Sequence, residues 1–250
     1  MKLSNKTFII IGATSGIGNA LADKLSCDGA SLVLCGRNAT TLNLLAEKIK
    51  TKRYLVNIDV TLPSFEEDFS RELALASDAL NVEKFNGGVY CPGIAPIMPL
   101  RGINKKTISD IFETNYTGAV LFSKVLASKR FRADSSSIIL ISSVSARAGE
   151  KGLGIYCASK AALEASAKAF ARELAPFGVR INCVSPGWLD TNMNKENILA
   201  VNGLEEKMRE AHPLGLGSAS DVASAVAFLL SDGAKWITGT TVVVDGGFLS

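Results

Sequence analysis

The sequence predicts a doubly wound α/β fold: one domain spanning residues 1–250, with a parallel sheet of about seven strands and helices on both faces. Three features predict it. Short, β-rich apolar runs alternate with longer stretches of helical periodicity along the whole chain. The strand runs are almost continuously apolar, the pattern of a sheet covered on both sides. A glycine-rich turn also follows the first strand and opens the first helix.

Taken in order, strand Thr7–Ile11 leads through Gly12-Ala13-Thr14-Ser15-Gly16-Ile17-Gly18 into a helix at Gly16–Cys27. Strand Ser31–Cys35 precedes helix Thr40–Lys50, and strand Arg53–Asn57 precedes helix Ser64–Leu80. Strand Gly88–Cys91 is followed by one long helix, Lys105–Phe131, and strand Ser137–Ser142 by helix Tyr156–Phe177. Strand Arg180–Val184, a polar segment of mixed charge from 190 to 217, helix Ser220–Leu230 and strand Thr240–Val244 complete the pattern. Crossovers between parallel strands are right-handed, and ligands in such sheets bind beyond the carboxyl ends of the strands, near the switch in strand order. Residues just after each strand are therefore the candidates for function.

Composition narrows the classes. The chain is 47% hydrophobic and 20% charged, and its 27 Lys and Arg against 24 Asp and Glu leave a net charge of +3. That is too small a surplus to argue for nucleic acid or a membrane surface, and clusters such as Lys129-Arg130 read as solvated faces. No stretch approaches the roughly 20 apolar residues of a membrane helix, and the apolar run after the polar start is too short for a secretory signal. The five cysteines are scattered without a C-x-x-C pair, as expected of reduced core thiols in a cytoplasmic protein. The single histidine, His212, has no partners at metal-ligand spacing and is expected at the surface or on a lid.

Two clusters carry chemistry. In the first turn, glycine permits a tight bend and close ligand approach, and the helix start offers free N–H groups and the positive end of its dipole, which suits pyrophosphate. Farther along, Tyr156 and Lys160 stand four residues apart, on one helix face. A neutral phenol, with its ordinary pKa of about 10, protonates an alkoxide formed by hydride attack. An ammonium about 4 Å away would favour the phenolate by roughly 4 kcal/mol at an effective dielectric of about 20. Ser142, Ser143 and Ser145 all lie at the end of the preceding strand, where a hydroxyl can meet a substrate carbonyl. Asn115, a poor residue for the middle of a helix, interrupts the long helical pattern.

Together these residues resemble the short-chain dehydrogenases/reductases. Gly12, Gly16 and Gly18 fit that family's T-G-x-x-x-G-x-G pattern, with Ile11 where threonine is usual. The resemblance covers nearly the whole chain and implies a Rossmann-type fold. It implies that Ser143, Tyr156, Lys160 and Asn115 are the catalytic set. The serine is chosen by its spacing from the tyrosine, which leaves Ser142 and Ser145 as structural hydrogen-bonders. The asparagine helps hold a water that connects the lysine to solvent. Gly12, Thr14, Ser15, Gly16, Ile17 and Gly18 are expected to cradle the cofactor phosphates, Asp59 and Val60 to meet the adenine, and Gly93 to approach the ribose. Pro186, Gly187, Leu189 and Thr191 belong to the loop that holds the nicotinamide, while Tyr156 and Lys160 also contact its ribose. One departure stands out: Tyr90-Cys91-Pro92-Gly93 replaces the usual Asn-Asn-Ala-Gly, whose asparagines knit the sheet to a neighbouring loop.

The second strand indicates the cofactor. An NAD enzyme needs an acidic residue at its end for the ribose 2′-hydroxyl. Here Gly36 occupies that position and Arg37-Asn38 follow, so Arg37 is expected to grip the 2′-phosphate of NADP(H). The expected activity is interconversion of a ketone and a secondary alcohol, with 3-oxoacyl thioesters as one substrate class. Sugar or polyol oxidation, or a noncatalytic NADP-binding sensor on the same fold, are the alternatives. Enoyl reductases of a related branch usually place six further residues between tyrosine and lysine, and extended epimerases need more chain. Carrier-protein reductases place basic residues where Asp134 and Phe177 stand here. The 190–217 segment is expected to act as a lid, with Met193, Ile198, Leu199 and Leu204 on its inner face. Ala119, Leu121, Phe122, Leu126, Ala161, Leu163, Ala167 and Phe170 suggest an apolar face that pairs copies into a homodimer or homotetramer.

Overall fold

A computed structural model describes residues 3–190 and 204–250. Its sheet runs β3-β2-β1-β4-β5-β6-β7, every neighbouring pair parallel. The strands are β1 (Thr7–Ile11), β2 (Ser31–Gly36), β3 (Arg53–Asn57), β4 (Phe85–Tyr90), β5 (Arg132–Ile141), β6 (Val179–Pro186) and β7 (Thr241–Val244). Strand order reverses between β1 and β4, so the crevice beyond their carboxyl ends is where a ligand is expected.

The continuous apolar strands are explained by what covers them. In β1 all five residues are buried, but successive side chains enter different cores. Ile9 and Ile11 pack under α3 (Phe65–Leu80), α5 (Gly118–Ala127) and α7 (Gly154–Leu174). Phe8 and Ile10 pack under α1 (Gly16–Cys27), α2 (Ala39–Lys48) and a last helix, Ala219–Leu230. In α3, Phe65, Phe69, Leu73, Ala76 and Leu80 fall on one stripe and are all buried. Each large side chain so buried contributes about 1.5–3 kcal/mol. Short polar side chains start the helices: Ser15 on α1, Asn38 on α2, and Asn104 on α4 (Lys105–Phe112).

Several boundaries differ from expectation for local reasons. β4 begins at Phe85 because the Gly87-Gly88 pair, which weakens a strand reading, sits at a bulge. Gly87 has φ +146°, and a Cβ there would stand 2.0 Å from the Ser137 carbonyl oxygen. β5 likewise extends back through polar residues to Arg132. The expected helix Lys105–Phe131 is not continuous. It divides into α4, a π-helical turn at Glu113–Thr117 and α5. A short α6 (Ser145–Ala148) follows β5, and α8 (Leu204–Ala211) precedes the last helix, α9 (Ala219–Leu230).

The apolar face expected to pair copies is largely consumed inside the chain. Ala119, Phe122, Leu126, Leu163 and Ala167 are buried, and Leu121 and Phe170 pack against the same core. Exposed apolar side chains lie elsewhere, led by Trp236 at 96% exposure, just before β7.

Candidate active site

The carboxyl ends of β1, β4, β5 and β6 open on one cleft of about 490 Å³, closed on its far side by α7. That volume is in the range of small-molecule sites. The first turn forms one wall through Thr14, Ser15, Gly16 and Ile17. Gly12 has φ +74°, which favours glycine. A Cβ at Gly18 would stand 2.2 Å from the Gly12 carbonyl oxygen, so glycine is what lets α1 begin this close to β1. Ser15 Oγ accepts the Gly18 N–H at 3.1 Å and caps the helix that faces the cleft. Next to this turn, Gly36 is buried at the end of β2, and a Cβ there would be 3.5 Å from Thr14 Oγ1. Arg37 is exposed. The Asn38 side-chain oxygen is committed to capping α2 at the Thr41 N–H. Asp59 is engaged by the Thr61 N–H and hydroxyl at 2.9 and 2.8 Å. Burial works to raise its carboxyl, but those bonds and the Arg37 charge hold it below its usual value.

The opposite wall is made of buried polar side chains. Lys160 is 3% exposed, and its ammonium donates to the Ile141 carbonyl at 2.8 Å. Gly93 allows this, since a Cβ there would lie 3.2 Å from Lys160 Nζ. Burial pushes the Lys160 ammonium down to about 8. Tyr156 differs from the sequence expectation. The lysine ammonium sits over its ring, 5.8 Å from the centre, and burial is what dominates the phenol. Burial pushes the Tyr156 phenol up to about 12, while a hydrogen bond with Ser143 pulls it down and the Glu150 charge pushes it up. In this geometry the phenol is a proton donor at neutral pH, the state needed to reduce a carbonyl.

Asn115 is fully buried within the π-turn. Its Oδ1 accepts the Ile94 N–H at 2.8 Å, and its Nδ2 donates to the Ile94 carbonyl and to Ser159 Oγ, both at 3.0 Å. Ser159 Oγ donates to the Tyr156 carbonyl at 2.7 Å. The asparagine that a regular helix tolerates poorly thus marks a helical defect of the kind frequent at functional sites. It ties α5, the loop after β4 and the tyrosine helix together.

Comparison with known proteins agrees with this geometry. A family model described as enoyl-(acyl carrier protein) reductase matches residues 12–249. The 3-oxoacyl-[acyl-carrier-protein] reductase FabG of Rickettsia prowazekii is 33% identical over 252 residues, covering 99% of this chain and 98% of the relative. Dehydrogenase/reductase SDR family member 4 of Sus scrofa is 32% identical, covering 99% of this chain and 88% of the relative. A solved 7α-hydroxysteroid dehydrogenase, complexed with NADH and 7-oxo glycochenodeoxycholic acid, superposes with a TM-score of 0.91 at 27% identity, covering 98% of this chain and 95% of its own. This chain belongs to the short-chain dehydrogenase/reductase family. It is an oxidoreductase acting on CH–OH and C=O groups.

Within that family its unusual Tyr90-Cys91-Pro92-Gly93 segment has a structural answer. Tyr90 is fully buried and its hydroxyl donates to the Thr114 carbonyl at 2.6 Å, reaching the π-turn that carries Asn115. Gly118 makes room, because a Cβ there would stand 2.3 Å from that hydroxyl. Pro92 lies over Gly12, its Cδ 3.2 Å from where a Cβ would be. Cys91 lines the cleft, and burial pushes its thiol up to about 12, so it is a neutral wall and not a nucleophile.

His212 corrects the sequence expectation of a surface residue. It is 2% exposed, and Nε2 accepts the Trp188 N–H at 3.1 Å while Nδ1 pairs with the Met208 carbonyl at 2.6 Å. These partners require the neutral ring with its proton on Nδ1. The ring also stacks on Phe248 at 4.8 Å. The histidine thereby fastens α8 and the tail to the Pro186–Leu189 loop, where Gly187 keeps a Cβ from meeting its Nε2. Leu189 is buried and pairs with Gly217 in an isolated bridge. Thr191, Met193, Ile198 and Leu199 lie outside the described residues. Ser142 Oγ bonds the Lys160 carbonyl and Glu164, a structural placement. Sequence reasoning also missed Ser159, Tyr90 and Glu150, whose partners lie on other elements or beyond a turn.

Proposed function

We propose that this chain interconverts a ketone and a secondary alcohol with NADP(H), as a ketoreductase of the 3-oxoacyl-thioester reductase type. The observation that carries this reading is the convergence of Ser143, Tyr156 and Lys160 on one cleft whose other wall is the glycine turn, with Asn115 buried behind them. The cofactor fits that cleft. Gly12 and Gly18 bring backbone close where a pyrophosphate would lie, the first turn of α1 faces it, and Gly93 leaves room beside Lys160. Bound NADP(H) would supply or accept the hydride. Ser143 then steadies the substrate oxygen, Tyr156 exchanges a proton with it, and Lys160 orients the nicotinamide ribose.

NADP(H) is favoured over NAD(H) because the end of β2 has no acidic side chain and Arg37 is free of the core. A hydrogen bond from a charged group is worth about 1.5–3 kcal/mol, or roughly tenfold to over a hundredfold in affinity. The first relatives named as 3-oxoacyl reductases make acyl thioesters the first substrates to try. Segment 190–217 is proposed to cover the substrate. Its described helix α8 buries Met208 and is held by His212 beside the nicotinamide loop. Assembly into a homodimer or homotetramer is proposed through the outer edge of the sheet, where half-buried β7 follows exposed Trp236. No described helix is long and apolar enough to cross a membrane, and a cytoplasmic location is part of the same proposal. The test is substrate depletion from a panel of ketones, acyl thioesters and sugars with each cofactor. Turnover of a ketone or 3-oxoacyl thioester with NADPH, more than about tenfold more efficient than with NADH, is expected. No carbonyl turnover with either cofactor, despite cofactor binding, would instead make the chain a sensor.

A further inference from the structure

Part of the cleft belongs neither to the cofactor wall nor to the catalytic set. It is lined from two loops: by Ala95 after β4, and by Ser145, Glu150 and Leu153 between β5 and α7. A substrate arm that extends from the carbonyl past Ser143 meets these residues. Ala95 and Leu153 offer it apolar surface, and Glu150 offers it a carboxylate. Ser145 Oγ lies 3.0 Å from Ser143 Oγ and donates to Glu150 Oε1. The carboxylate is thus one hydroxyl removed from the serine at the reacting end. A tight turn brings it inward. The Leu153 N–H bonds the Glu150 carbonyl at 3.0 Å, and Gly149 and Gly152 on either side have φ of +67° and +83°.

Glu150 is half-buried there, and its supply of donors is short. A carboxylate has about four lone-pair sites on two oxygens. Among the described residues it receives one hydrogen bond, from Ser145, and has no cation beside it. The nearby cations are turned elsewhere: Arg147 pairs with Glu164 at 3.2 Å, and Lys160 donates to the Ile141 carbonyl at 2.8 Å. A purely alkyl arm would strip water from this carboxylate and return nothing, which is costly for a charged group. An anionic arm would add repulsion between like charges. An arm carrying a hydroxyl or an ammonium would replace the lost water with a charge-assisted hydrogen bond. We propose that Glu150 is the specificity-determining residue of this site, and that it selects ketones whose arm carries a hydrogen-bond donor, together with the alcohols they form. The inference rests on the carbonyl/alcohol reading and narrows the substrate within it. The hydride and proton transfers are the same whichever arm is bound. A pocket that is apolar except for one placed polar group rejects the analogue lacking the matching group more strongly than it discriminates by size.

The test uses cyclohexanones that bear, opposite the carbonyl, a hydroxymethyl, aminomethyl, ethyl or carboxylate group, each reduced by the full chain with NADPH. The hydroxymethyl and aminomethyl ketones should exceed the ethyl ketone about tenfold or more in kcat/KM, and the carboxylate should rank last. The differences should sit mainly in KM, because the arm contact is the same before and during hydride transfer. A lead for the hydroxymethyl ketone marks polyol-like substrates, and a lead for the aminomethyl ketone marks amino ketones. Glu150→Leu should invert the order, with the ethyl ketone ahead of both donors. The order is read within each protein, so a general loss of activity cancels. Glu150→Gln keeps an acceptor for Ser145 and removes the charge, which guards against a loop disturbed by leucine. It should cost the aminomethyl ketone its advantage and relieve the carboxylate. A Glu150 that merely pins the loop would change all four ketones alike, and that result overturns the inference. Equal use of ethyl and donor arms by the full chain overturns it too, as does a donor preference that survives in Glu150→Leu. A full chain that reduces other carbonyls but none of this series overturns the inference alone. One that turns over no carbonyl at all overturns the parent reading with it.

Discussion

The two walls of the cleft are built on different principles. On the β1–β3 side the contacts offered to a ligand are backbone, glycine and exposed side chains, with Arg37 at the surface and Ser15 and Asn38 spent on helix caps. On the β4–β6 side they are buried side chains held by their own hydrogen bonds: Asn115 to Ser159, Lys160 to the Ile141 carbonyl, and Ser143 to Ser145. Shape on the first wall can be met by little more than a missing Cβ. Position on the second is over-determined, as preorganised catalytic groups require. The difference teaches where a substitution should change chemistry, where it should change preference, and where it should only cost stability.

The largest effect belongs to the second wall. Tyr156→Phe removes the hydroxyl proposed to exchange a proton with the substrate oxygen, and kcat should fall at least about a hundredfold, the scale of general-acid contributions. NADPH affinity, measured by fluorescence or calorimetry, should be nearly unchanged. Near-normal turnover on a verified substrate would show that the buried network serves folding and not chemistry.

An intermediate effect belongs to the first wall. Arg37→Ala should erase most of the preference for NADPH, a loss of about tenfold or more in its catalytic efficiency, while NADH turnover is spared. It should leave the thermal midpoint within about 1 °C, because an exposed side chain away from special features changes stability little. A mutant that keeps its preference would move the cofactor-determining contact off β2. An equal loss with both cofactors would make Arg37 part of the general cofactor site.

What could be read from sequence follows the same division. The glycine turn, the Gly36-Arg37 strand end and the Tyr156–Lys160 pair are local patterns, with spacing set by one turn or one helix. The strands could be read because both faces are covered. The second wall was legible only in part. Asn115 was out of place in a helix, but the π-turn that accommodates it depends on Tyr90, 24 residues earlier in the chain. His212 looked solitary because its partners are backbone groups and a tail ring, none of which leave a spacing signature. Glu150 lay in a polar loop whose two positive-φ glycines turn it back on Ser145, a fold-back visible only in three dimensions. Among the apolar residues of α5 and α7, Ala119, Phe122, Leu126, Leu163 and Ala167 have more core to fill than a single sheet face offers, while Leu121, Ala161 and Phe170 stay half-buried.

The smallest effect tests whether the second wall's supports can be told from its chemistry. Tyr90→Phe keeps the ring, which packs on Phe122 at 5.9 Å, and removes only the hydroxyl that bonds the Thr114 carbonyl. Losing a part-buried hydrogen bond costs about 0.5–1.5 kcal/mol, and in a domain of this size each kcal/mol lowers the melting temperature by about 2–4 °C. Catalysis should fall less than about threefold, since Asn115 keeps its own three bonds to Ile94 and Ser159. Gly118 supplies the internal control. Gly118→Ala places a Cβ against the Tyr90 hydroxyl and should destabilise the native chain by about 1–3 kcal/mol, as overpacking does. In the Tyr90→Phe background the same Cβ meets no hydroxyl, leaving the milder contacts with the Val60 Cβ at 3.1 Å and a ring carbon at 3.2 Å, so the two changes should be non-additive. Additive losses would mean that the hydroxyl and the glycine are not one joint. A drop in kcat as deep as that of Tyr156→Phe would mean that the π-turn itself sets the chemistry, and the line drawn between support and catalyst on this wall would have to be abandoned.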